Sequence, residues 1–168
     1  MRTPAHIGRG ILSVTLPALL VLAACGDSAT APDAEETAVL LSVIPAGGAT
    51  NVDPNQPVTL EFNHALGAGM KDYVDLHEGD VTGPEVEGLW TVSADGRKLT
   101  FQPAQPLKPA TTYTIHVGGG MMDEDGHLMN LEEHGSAMGG MWATGSMMTG
   151  GAGMGMNGGM VFTFTTAG

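Results

Sequence analysis

The chain has 168 residues, 18 of them Asp or Glu and 6 Lys or Arg, for a net charge of −12 with the histidines neutral. That balance excludes a basic nucleic-acid binder, and the length allows one domain of ordinary size. Glycine (26) and methionine (12) are so abundant that part of the 42% apolar content is not core material.

Residues 1–24 run from Arg2, His6 and Arg9 into an apolar stretch, 11–22, and end at Leu22-Ala23-Ala24-Cys25. Basic start, short apolar run and small residues before a cysteine together read as an export signal, to be set apart from the fold. The run is about a dozen residues and contains Pro17, short of the ~20 needed for a membrane-spanning helix. Leu-Ala-Ala-Cys closely resembles the bacterial lipobox. The resemblance implies that Cys25 is lipidated and becomes the new N-terminus, anchoring the protein in the cell envelope, at the periplasmic face or the cell surface. Cys25 is the only cysteine, so neither an internal disulfide nor a thiolate metal site is available. Without residues 1–24 the chain carries 18 acidic and 4 basic groups, or −14. Residues 25–37 are small, polar and acidic and cannot bury enough surface to order themselves. They are expected to form a flexible tether to a domain spanning 38–168.

From Leu40 onward, short runs of alternating or β-branched apolar residues are broken by Pro, Gly, Asn and Asp, which predicts an all-β sandwich. The first strand covers 40–44 and closes in the turn Pro45-Ala46-Gly47-Gly48-Ala49-Thr50-Asn51. Val58, Leu60 and Phe62 alternate with Thr59, Glu61 and Asn63, so the first set faces a core. Less regular strands follow over 73–77 and 86–92, and Asp95-Gly96 supplies a hairpin turn. Leu99 and Phe101 continue the inward face. Pro103, Pro106 and Pro109 force an irregular crossing. Tyr113, Ile115 and Val117 point inward while Thr112, Thr114 and His116 point out, and Phe162 and Phe164 close the fold. Seven antiparallel strands result, and seven of the eight aromatic residues fall inside them; Trp142 is the exception.

The string resembles the bacterial Ig-like domain of the SbsA type. The blocks that carry the likeness occur in order: Pro45 to Val52, Val58 to Phe62, Ser93 to Pro103, Pro106 to Val117, the Asp123 to Gly126 turn, and Phe162 to Thr166. The resemblance implies an Ig-like sandwich used for display, spacing or adhesion. The departure from that pattern is an insertion over 127–160, rich in Met and Gly, before the last strand.

Ten of the twelve methionines lie between Met121 and Met160, and fourteen glycines between Gly118 and Gly159. Glycine at that density predicts a mobile loop, and a long loop in a compact domain is usually functional or disordered. Thioethers are soft ligands that select Cu(I), and imidazole also suits copper. The candidate metal ligands are His127, Met129, His134, Met138, Met141, Met147, Met148, Met154, Met156 and Met160. A looser resemblance, to copper-resistance proteins of the CopC type, points the same way, since they too are exported Ig-like sandwiches with a Met-rich loop. Against this stands the plainer reading of a low-complexity expansion, tolerated because loop length costs little entropy. On that reading, removing 130–159 leaves the domain folded.

Residues 121–132 approach a twelve-residue calcium loop, with Asp123, Asp125, Gly126 and Glu132 in the expected places. Met121 stands where Asp is required and a strand precedes it, so an acidic turn, with at most weak calcium binding at Asp123, Asp125 and Glu132, is the expectation. His64, His77 and His116 read as solvated surface residues. No nucleophile elbow, zincin helix or phosphate-binding glycine loop is present, so no enzyme is expected. The sequence therefore predicts a lipid-anchored, non-catalytic binding or structural module of the envelope, with an envelope protein or glycan as partner. The alternative is a soft-metal protein capturing Cu(I) or Ag(I) through the Met/His-rich loop.

Overall fold

The computed structural model describes residues 37–143 and 158–168. Among the described residues, nine strands build two facing sheets. The first sheet has the order β1 (Leu40–Ile44), β3 (Val58–Phe62), β6 (Lys98–Pro103), β5 (Gly88–Val92), all antiparallel. The second has the order β2 (Ala49–Val52), β9 (Gly159–Thr166), β7 (Thr112–Gly118), β4 (Val74–Glu78), with β8 (Met141–Ala143) also paired to β9. β2 runs parallel to β9. The β-sandwich expected from the alternation is thus present, with two more strands than the seven predicted.

The core lies where the alternation placed it. Val58, Leu60, Phe62, Leu99 and Phe101 from one sheet meet Tyr113, Ile115, Val117, Phe162 and Phe164 from the other, all buried. Tyr113 stacks on Phe164 with centroids 5.7 Å apart. Its hydroxyl accepts the Lys108 backbone N–H at 2.8 Å, pinning the proline-rich crossing to β7. This is the corner device by which Ig-like sandwiches fix the entry to such a strand. The Ser93–Gly96 turn closes as predicted, with Gly96 at φ 72°.

The stretch after β7 departs from the expected mobile loop. Met121, Met129 and Leu131 are buried core members. Asn130 donates its backbone N–H to the Ala38 carbonyl at 2.7 Å, and Gly67 donates to the Met122 carbonyl at 3.0 Å. A helical turn, Glu132–Gly135, and a 3₁₀ turn, Ser136–Met138, follow. Gly139 sits at φ 82° against Gly47, whose N–H bonds the Met138 carbonyl at 2.9 Å. A Cβ on Gly139 would lie 2.5 Å from the Gly47 carbonyl oxygen, so this crossing admits only glycine. The last strand begins at Gly159 and includes Met160, which is 0% exposed. Residues 121–143 are therefore part of the sandwich, because methionine fills irregular core space as readily as it binds metal.

Candidate functional site

The Asp123–Gly126 turn follows β7 and is held against the end of β3. The Glu124 N–H reaches the Ala65 carbonyl at 2.9 Å, and Gly126, at φ 89°, closes the turn. This geometry carries the Asp123 carboxylate inward, where it is 2% exposed. Its Oδ1 accepts the backbone N–H groups of His127 (2.8 Å) and Asp125 (3.0 Å). Its Oδ2 lies 3.2 Å from His127 Nδ1 and 3.3 Å from His64 Nδ1. Burial alone would push the Asp123 carboxyl up. The His127 backbone N–H, the His127 ring and its charge, and the Asp125 N–H outweigh that and hold it below its ordinary value of 3.8.

Asp123, Asp125 and His127 offer ligand atoms that all lie within 4.8 Å of one another. Such a set, extended by His64, has the nitrogen and oxygen chemistry of Zn(II) or Cu(II) rather than the sulfur chemistry of Cu(I). The same contacts also account for a purely structural turn, since both oxygens of Asp123 already have protein partners.

Of the predicted soft-metal ligands among the described residues, only His127 joins this cluster. Met129 and Met160 are core residues, 6% and 0% exposed. Met138 packs against the core from its edge. Met141 is 61% exposed on β8. His134 is exposed on the helical turn, 4.0 Å from Glu133. Glu132 also lies on that turn and is not part of the Asp123 cluster. Cys25, Met147, Met148, Met154 and Met156 lie outside the described residues.

Three histidines were misread from sequence. His64 is a partner of Asp123, not a free surface residue. His116 does point away from the core, as the alternation required, and His77 shares that face, yet His77 is 8% and His116 1% exposed. At His77 outward is not solvated, because residues 79–85 fold back over that end of the sheet: Thr114 Oγ1 bonds the Gly79 carbonyl at 2.6 Å and His77 Nδ1 the Gly83 carbonyl at 3.0 Å. No spacing in the sequence announces that cover.

Two facing sheets, the tyrosine corner and the acidic turn define an Ig-like sandwich module. Residues 34–138 match the bacterial Ig-like domain family, and the chain belongs to it. No curated protein sequence matches the chain. Among solved structures it is similar to PcoC, a methionine-rich copper resistance protein from Escherichia coli, at 18% identity and a TM-score of 0.49, covering 78% of this chain and 99% of that one. It is also similar to CopC from Methylosinus trichosporium OB3b, at 16% identity and a TM-score of 0.47, covering 77% and 93%. Domains 1–6 of the surface layer protein SbsC give 14% identity and a TM-score of 0.45, covering 80% of this chain and 14% of that one. These are likenesses of fold.

Proposed function

We propose that the protein is a lipid-anchored, non-catalytic binding module of the cell envelope, held outside the cytoplasm through Cys25 and displaying its sandwich on an acidic tether. The Leu22-Ala23-Ala24-Cys25 ending and membership of a bacterial Ig-like family support the address. One observation carries the role. β8 is a three-residue strand that pairs, among the described residues, only with β9, and it exposes Met141 (61%) and Trp142 (43%). Association surfaces are enriched in Trp and Met, and an unpaired strand edge offers N–H and C=O groups to an added strand. The partner that fits is an envelope protein seated along β8. A photo-crosslinking residue at Trp142 in the full chain, in its native membranes, is expected to capture an envelope protein that the same residue at Glu61, on the outer face of the first sheet, does not. Identical products from both positions, or none from Trp142, contradict the assignment.

A metal-handling reading is favoured by the Asp123, Asp125 and His127 grouping with His64 beside it. On this reading the ion held there is Cu(II) or Zn(II), while Cu(I) or Ag(I) capture falls to the methionines that are not in the core. Calcium is less suited to the site, since two imidazoles already face Asp123 and calcium prefers oxygen ligands.

A further inference from the structure

We propose a second metal site, on the outer face of the second sheet, in which Asp75, His77 and His116 hold a divalent Zn(II)- or Cu(II)-like ion. The register of β4 and β7 sets Asp75 opposite His116 and His77 opposite Thr114. Their neighbours Val74, Leu76, Ile115 and Val117 are buried in the core, so all three donors share the opposite face. Directly opposed residues have Cβ atoms about 5 Å apart and diagonal neighbours about 7 Å, a span that two imidazoles can close around one ion.

Their polar atoms are unsatisfied. Among the described residues, Asp75 Oδ2, His77 Nε2 and both ring nitrogens of His116 are buried without a hydrogen-bond partner. His116 Nδ1 and Asp75 Oδ2 are 3.8 Å apart, within ion-pair range but too long for a hydrogen bond. Two ligands bound at about 2.0 Å to a tetrahedral ion sit roughly 3.3 Å apart, so a small side-chain movement brings this pair to bonding distance. Four orphaned polar atoms in one patch are unusual for a folded protein and call for an occupant.

The state of His77 is also suited to ligation. The Gly83 carbonyl, 3.0 Å from Nδ1, can only accept, so Nδ1 carries a proton and Nε2 is the nitrogen left to ligate an ion. Donation of one ring N–H to a backbone carbonyl is the arrangement that orients metal-binding histidines. Two imidazoles and one carboxylate suit Zn(II) or Cu(II) and leave a coordination position for water or an added ligand. The site shares no residue with the Asp123 cluster and does not depend on the proposed envelope role.

The test is titration of the full chain, purified in detergent and freed of metal, with Co(II) as a spectroscopic probe and Zn(II) by competition. A His64→Gln/His127→Gln variant is expected to retain one tight equivalent showing d–d absorption. Adding His77→Gln or His116→Gln is expected to weaken that equivalent more than about 100-fold, beyond the effect typical of losing an outer partner. Unchanged affinity in both variants, or no tight equivalent in the His64/His127 background, overturns the proposal and leaves buried water as the occupant. If His116→Gln fails to fold, His77→Gln and the ring-nitrogen resonances of the unmutated chain decide. Zinc-dependent shifts at His77 Nε2 and His116 support the site, and unmoved resonances overturn it.

Discussion

Asp123 shows how much one side chain organises. Through two backbone N–H groups and two imidazoles it ties the turn after β7 to His64, two residues past the end of β3. Asp123→Ala removes the buried, charged acceptor of these part-buried hydrogen bonds and is expected to cost roughly 1–3 kcal/mol at neutral pH. Because the folded carboxyl titrates below its ordinary 3.8, its contribution is fully present above that value and fades as pH falls through the folded one. The gap between native and variant urea midpoints should therefore narrow as pH falls below about 4. A gap that stays the same or grows below about pH 4 contradicts the assignment. Met160 makes the opposite point, since a residue proposed as a ligand turns out to be core. Met160→Ala is expected to cost about 2–5 kcal/mol while leaving Cu(I) affinity, measured against a chromophoric chelator, unchanged.

At the scale of elements, the strands with clean alternation were legible from sequence. β1 and β3 fall where the apolar pattern put them, and β7 gains one residue. β2 and β8, with four and three residues, are too short to show a period. β9 opens with Gly-Met-Val, which does not alternate, so its start at Gly159 was missed. The acidic turn at Asp123 was read correctly, but its second histidine lies 59 positions away by residue number (123 minus 64), a separation that local spacing does not report. The insertion misled because glycine and methionine resemble low-complexity sequence whether or not they pack. Its two halves should now behave differently. Ala143 pairs with Gly159, so residues 144–157 can be replaced by a tight two- to four-residue turn, and the melting temperature is expected to stay within a few degrees. Removing 130–159 deletes buried Leu131, Gly135 and Gly140 and the start of β9, and is expected to abolish cooperative unfolding. Equal tolerance of both deletions contradicts the placement of 130–143 in the sandwich.

At the scale of the whole molecule, a sandwich with a buried core on both inner faces stands apart from the histidine and carboxylate groups at its margins. The fold supplies two sheets, and among the described residues the proposed sites lie at the Asp123 turn, the outer face of β4 and β7, and the β8 edge. Such modules host unrelated roles, so position in the cell matters as much as surface. A charge of −14 beyond residue 24 opposes binding to anionic lipid, so on the proposed reading firm membrane retention rests on the covalent anchor at Cys25. A single acyl chain binds only reversibly, and stable anchoring takes at least two. The most direct measurement is intact-mass spectrometry of the protein from the membrane fraction, beside cell fractionation of Cys25→Ser. The expected result is a chain beginning at Cys25 with a multiply acylated N-terminus, and a Cys25→Ser protein that leaves the membrane-anchored pool. A native protein that is unacylated, or cleaved elsewhere and freely soluble, would contradict the account.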